Sequence, residues 1–165
     1  MQIIDGKLVA KSIRDELKAE ITEAYEKYGK IFKLTVIIAG NNPASEIYVR
    51  NKGKACEDVG IVSETLTLPE NISQEEIERV VSDKVNDKDI DGILVQLPLP
   101  AGLDEGRILK LIPPEKDVDG FTPYSVGSLL LGKECRVSCT PKGIIKMLKS
   151  ESIDLCGKRA VIIGR

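Results

Sequence analysis

Tyr48 and Lys52 lie four residues apart, shortly after Asn42-Pro43, an N-cap residue followed by a good first helical residue. On the helix this start predicts, the two side chains project from one face. Lysine has a reference pKa near ~10.4 and is a poor base at neutral pH, although burial or a nearby cation lowers that value. Arg50 and Lys54 are close in sequence. A Tyr-Lys pair of this kind can relay a proton, an effect worth about 100- to 10,000-fold in rate. A solvated lysine beside a packed tyrosine is the plainer reading of any single Tyr-x-x-x-Lys.

Gln96 closes the apolar run Ile93-Leu94-Val95 and is followed by Leu97-Pro98-Leu99-Pro100. Pro98 cannot donate to a sheet ladder, so a strand must end there. A short, continuous apolar strand suits the middle of a parallel sheet covered on both faces, and ligands bind outside the carboxyl ends of such strands. The amide is therefore placed to touch a ligand, or else it only satisfies loop backbone. Asp117 and Asp119 flank Val118 in a loop ending at Gly120, so their carboxylates point to different sides and only one need face a site. A carboxylate can accept two parallel hydrogen bonds from an amidine-like edge such as that of a pterin. An ordinary acidic turn is the alternative. In Cys139-Thr140-Pro141-Lys142-Gly143, Thr140 is expected to cap a helix, and capping alone explains the motif.

The elements that must position these residues alternate. Helical periodicity covers 7–28, with Gly29 as a stop, and a β-branched strand runs over 32–39. The Tyr48 helix is expected to reach about Asp58, with a strand over 61–68 after it. Ser73 and Glu76 form a capping-box pattern for a helix ending near Asn86, and the Gln96 strand spans 90–97. Shorter helices fit 103–112, 125–131 and 141–149. The fold class expected is a layered α/β domain with a mainly parallel sheet flanked by helices.

Composition narrows the chemistry. The 165 residues contain no histidine, which removes Ser-His-Asp and Cys-His nucleophile systems and any histidine zinc site. No metal site is expected. The formal charge of −2 carries no basic block, and aromatics are only 4%, which argues against a nucleic-acid partner. There is no long apolar stretch or signal-peptide pattern, so no membrane partner is expected and the location is read as cytoplasmic. Cys56, Cys135, Cys139 and Cys156 form no C-x-x-C pair and are expected to be free and mostly buried. At the end of the chain, Lys158 to Arg165 reads as a charged lead-in, a buried strand over Ala160–Ile163 and a glycine. This looks like the first strand of a dinucleotide-binding unit, whose glycine-rich turn and helix do not follow. The chain is therefore read as truncated.

These segments together resemble the bifunctional methylenetetrahydrofolate dehydrogenase/methenyltetrahydrofolate cyclohydrolase family. Asn42-Pro43-Ala44-Ser45 leading into Tyr48-Val49-Arg50-Asn51-Lys52 looks like the family's Pro-Ala-Ser…Tyr-Val-x-x-Lys helix. Val95-Gln96-Leu97-Pro98-Leu99-Pro100 and Lys116-Asp117-Val118-Asp119-Gly120-Phe121 resemble two more of its segments. Cys139-Thr140-Pro141-Lys142-Gly143 and Val161-Ile162-Ile163-Gly164-Arg165 follow in the family's order.

The resemblance implies NADP-dependent oxidation of 5,10-methylenetetrahydrofolate to the methenyl cation and its hydrolysis to 10-formyltetrahydrofolate. It implies a place in one-carbon metabolism and purine biosynthesis. By this resemblance, Lys52 is the principal proton-transfer residue, Tyr48 lies against the folate ring system, and Gln96 hydrogen-bonds Lys52. Asp119 holds the pterin edge, Leu97 and Pro98 complete the substrate site, and Gly164 and Arg165 belong to the NADP site. The methenyl group is already electrophilic, so water needs orientation and a base rather than a metal. A cationic substrate favours a neutral lysine by like-charge repulsion.

The implied division is a folate-binding catalytic domain over 1–157 and the first strand of an incomplete NADP-binding domain over 158–165. Full-length family members are expected to be homodimers. In this chain NADP binding and hydride transfer are expected to be lost and cyclohydrolase turnover weakened. The alternatives are a non-catalytic folate-binding fragment and a short-chain dehydrogenase. In the latter family the glycine-rich nucleotide turn precedes the Tyr-Lys pair, whereas the comparable strand here comes last.

Overall fold

The computed structural model describes residues 3–163. Its centre is a parallel sheet of three strands, β1 (Lys33–Ala39), β2 (Val62–Leu68) and β3 (Gly92–Val95), in the order β2-β1-β3. Each crossover is a helix: α2 (Pro43–Val59) joins β1 to β2, and α3 (Gln74–Asn86) joins β2 to β3. α1 (Gly6–Tyr28) precedes the sheet. α4 (Glu105–Leu109), α5 (Pro123–Leu130) and α6 (Cys139–Ser150) follow it. The layered α/β expectation holds, and the sheet is parallel throughout.

Alternation along the strands divides the core. Ile37, Ile93 and Val95 pack with Ile77 and Val81 of α3 and Ile108 of α4. Val36, Ile38 and Leu94 point to the opposite face and meet Val49 of α2. All four residues of β3 are buried, as a strand covered on both faces requires. β1 and β3 are tied at their amino ends by Asp91, whose N–H donates to the Lys33 carbonyl while its carboxylate accepts from Lys33 N–H and Lys30 Nζ. Burial works against the Asp91 charge, but these bonds outweigh it and hold the carboxyl below its ordinary value.

Several expectations need correction. β3 spans Gly92–Val95 rather than 90–97: the Gln96 N–H makes the last bond to the sheet, at Ile37, and Pro98 has no N–H to continue the ladder. α6 begins at Cys139, with Ser138 at its N-cap position and no side-chain cap bond, so Thr140 lies inside the helix. The strand expected over Ala160–Ile163 does not form. Val161, Ile162 and Ile163 are 80%, 92% and 97% exposed, and among the described residues no strand lies beside them to complete a ladder. The cysteines are free, but only Cys56 and Cys135 are even half-buried, while Cys139 and Cys156 are exposed. On α1 the apolar stripe buries only Ile21.

Candidate functional site

Asn42 starts the site. Its side-chain oxygen accepts from the N–H groups of Ala44 and Ser45, and Pro43 occupies the first turn, so α2 begins at the end of β1. From there the helical repeat brings Tyr48, Lys52 and Cys56 along one face toward a cavity of about 630 Å³. The cavity floor is apolar, with Leu34 of β1 and Leu94 of β3. Gln96 and Leu97 close one side, and Val118, Asp119 and Phe121 face α2 from the loop after α4. Ser138, Cys139 and Thr140 complete the lining at the start of α6.

Gln96 stands one residue past β3, yet its main chain is still held by the sheet, since its N–H donates to the Ile37 carbonyl at 2.8 Å. Its side-chain Nε2 donates to the Leu97 carbonyl at 2.7 Å. The amide nitrogen is thereby engaged, which leaves Oε1 to accept from Lys52 Nζ at 3.2 Å. Lys52 is half-buried, whereas Tyr48 is 64% exposed and offers its ring along the cavity mouth. The Leu97-Pro98 peptide is cis.

The two aspartates do turn to different sides. Asp117 is buried, and its carboxylate accepts from Gly120 N–H, Thr122 N–H, Thr122 Oγ1 and Ser125 Oγ at 2.7–3.1 Å. Burial raises the cost of its charge, but those donors outweigh it and hold Asp117 below the ordinary carboxylate value. Asp119 points into the cavity with no comparable set of donors. Burial pushes its carboxyl up, the Lys52 charge pulls it back in part, and the neighbouring Asp117 adds to the rise.

Tyr48, Lys52, Gln96, Leu97 and Asp119 thus share one cavity. Pro98 does not join them: it lines a separate recess of about 280 Å³ with Gly40, Asn41, Asn42, Glu70 and Pro100. Gly164 and Arg165, assigned to the cofactor, lie outside the described residues. Sequence reasoning missed Cys56 and the Thr122–Ser125 support of Asp117. Cys56 was within reach, because it falls four residues after Lys52 on the same helical face. Among the described residues no group of three or more potential metal ligands occurs, and no helix is long and apolar enough to cross a membrane.

Comparison with known proteins places this geometry. The family described as tetrahydrofolate dehydrogenase/cyclohydrolase, catalytic domain, matches residues 4–119. The bifunctional protein FolD of Maridesulfovibrio salexigens is 52% identical over 165 residues, which is 100% of this chain and 58% of that protein. The FolD of Agathobacter rectalis is 49% identical over 163 residues, covering 99% of this chain and 58% of its own length. The chain thus spans well under two thirds of these relatives. Among solved structures, the bifunctional FolD methylenetetrahydrofolate dehydrogenase/cyclohydrolase of Campylobacter jejuni matches with a TM-score of 0.96 at 46% identity, covering 100% of this chain and 58% of that one. The Trypanosoma brucei enzyme, solved with NADP cofactor and inhibitor, matches with a TM-score of 0.90 at 36% identity over 95% of this chain and 54% of its own.

Proposed function

Because the chain belongs to the tetrahydrofolate dehydrogenase/cyclohydrolase family, we propose that its cavity binds a reduced folate and hydrolyses the 5,10-methenyl cation to 10-formyltetrahydrofolate. The observation that carries this reading is the Lys52 Nζ–Gln96 Oε1 contact at 3.2 Å over an apolar floor, with Asp119 on the facing wall. The ring system of the folate lies along Tyr48 and Leu97, and its amidine-like pterin edge donates to Asp119. That placement sets the bridging carbon beside the hydrogen-bonded Lys52–Gln96 pair.

Water then adds to the methenyl carbon. As the carbon–oxygen bond forms, one water proton passes to the Lys52 amine, and the ring cation becomes a neutral carbinolamine. Collapse of that adduct forms the formyl carbonyl and breaks the bond from carbon to N5, and N5 takes the remaining hydroxyl proton. Gln96 acts by fixing the lysine: its oxygen accepts from the Nζ group and holds it at the reacting carbon. The substrate's own positive charge opposes the ammonium form of Lys52, which favours the base needed at the first step.

In the whole protein we assign the preceding oxidation of the methylene bridge to NADP, which would accept the hydride. The folate position proposed here presents the bridge for that transfer. We also assign the whole protein to one-carbon metabolism and purine biosynthesis in the cytoplasm, as a homodimer.

The test is the loss of methenyltetrahydrofolate absorbance without NADP. Hydrolysis faster than in buffer alone, removed by Lys52→Met, supports the catalytic reading. A chain that binds a folate analogue in calorimetric titration but leaves the buffer rate unchanged is a folate-binding module instead.

A further inference from the structure

The catalytic proposal uses Asp119 and leaves its neighbour Asp117 without a part, although Asp117 is the more completely enclosed of the two at 3% exposure. A buried carboxylate normally has a cation beside it. Among the described residues none pairs with Asp117. Its donors are Gly120 N–H at 2.8 Å, Thr122 N–H at 3.1 Å, and the Thr122 and Ser125 hydroxyls at 2.7 Å each. All of them lie in the turn that follows it or in the first turn of α5, so the charge folds that turn back and ties it to the helix start.

The same turn is fixed at three further points. At its base, Ile93 N–H donates to the Lys116 carbonyl at 2.8 Å, and Asp117 bridges to Ile93 as a one-residue extension of the sheet. In its middle, Val118 lies over Gly92, where an added β-carbon would stand only 2.5 Å from Val118 Cγ1. At its tip, Gly120 has φ +69°, and a β-carbon there would stand 2.6 Å from the Arg136 carbonyl oxygen and 2.9 Å from Ser138 N. The turn therefore seats the chain that leads into Ser138, Cys139 and Thr140 on the cavity wall.

We infer that Asp117 is a positioning residue: its carboxylate holds the Val118–Thr122 turn so that Asp119 faces Lys52 across the cavity and grips the pterin edge. The inference rests on the folate reading of the cavity. The charge of Asp117 also reaches Asp119 directly and raises its affinity for a proton, beside the larger effect of burial and against the pull of Lys52. The other titratable groups lining the cavity are Tyr48 and Cys56 of α2 and Cys139 of α6.

Two measurements separate positioning from folate binding. The first is carboxyl-carbon NMR titration of Asp119 in the unliganded chain. Asp117→Asn keeps the side-chain shape but removes the charge and turns an NH2 group toward donors. The Asp119 midpoint then falls, and a folded variant whose midpoint stays in place overturns the inference. The second uses Ser125→Ala, a milder variant that keeps the charge and removes one hydroxyl donor. Its affinity for 5-formyltetrahydrofolate, measured by calorimetry, drops about tenfold or more, the size of one hydrogen bond to a charged group. On an Asp119→Asn background the same substitution has no further effect. An equal loss on both backgrounds would show that the cage does not act through Asp119. If the unaltered chain binds no folate analogue while the Asp119 midpoint still shifts in Ser125→Ala, where the Asp117 charge is kept, the positioning stands and the folate reading fails.

Discussion

On one wall of the cavity, Tyr48, Lys52 and Cys56 ride a capped helix and Gln96 leaves a buried strand. On the other, Asp119 sits in a turn that belongs to neither kind of element. The first wall takes its geometry from periodic structure. Its side chains are aimed by the helical repeat, and the packing of Val49 against Val36, Ile38 and Leu94 holds the helix to the sheet. The second wall takes its geometry mainly from one carboxylate with its two hydroxyl and two backbone N–H donors, beside the seat of Val118 on Gly92. A ladder spreads its stability over many residues, whereas a cage concentrates it in a few. The first wall should therefore lose function before it loses shape, and the second should lose shape first.

The largest effect is expected on the helical wall, in rate alone. Lys52→Met roughly keeps side-chain volume and removes the base, so methenyltetrahydrofolate hydrolysis falls by about a hundredfold or more. The thermal midpoint stays close to that of the unaltered chain, and a variant that loses both together would erase the contrast between the walls.

Gly120→Ala is expected to break the turn wall through its fold. The left-handed backbone and the contact with the Arg136 carbonyl together cost about 3 kcal/mol in denaturant unfolding. Gly29→Ala supplies the control, because φ there is +62° but nothing lies within 4 Å of the added carbon. That change costs about 1 kcal/mol, and equal losses at the two positions would mean that the turn is not seated on 136–138.

Asn42→Ala removes the cap of α2 and costs about 1 kcal/mol of stability. The rest of the 17-residue helix still holds Lys52 in line, so the Asp119 midpoint read by NMR stays unchanged.

Acid sharpens the comparison within the turn wall. The folded pKa of Asp117 lies below its ordinary value, so its stabilisation is fully present above the unfolded value near ~3.9 and is lost as pH falls through the folded one. Asp119 has the opposite sign: its raised folded pKa makes its charge a burden above that value, relieved as pH falls through it. Stability followed by denaturant unfolding should therefore decline more gently below about pH 4 in Asp117→Asn than in the unaltered chain.

The same contrast explains what could be read from the chain alone. α2 and α3 announce themselves through Asn42-Pro43 and through Ser73 with Glu76, because caps are local chemistry. Lys52 and Gln96 could each be singled out from local spacing. Their contact joins positions 44 residues apart, and a periodic pattern carries no information about which elements will touch. Alternation likewise says only that Asp117 and Asp119 differ, so it is the family resemblance, and not the residue pattern, that singles out Asp119 and pairs Gln96 with Lys52. The choice is made by Thr122 and Ser125, whose hydroxyls read in sequence as an ordinary helix start. Ala160–Ile163 shows the converse: strong β propensity does not make a strand where no neighbouring strand accepts its hydrogen bonds.

Because consecutive amides of a strand point to opposite edges, β3 and the residue after it address both walls. The Gln96 amide hydrogen is bonded into the sheet at Ile37, and the Ile93 amide hydrogen is bonded outward to Lys116. In deuterated water these two hydrogens keep separate time. The first is released when the central strands part, the second whenever the aspartate turn lifts from its seat, which requires no disruption of the core. The ratio of their exchange rates measures how often the cavity opens on the turn side while the lysine side stays shut.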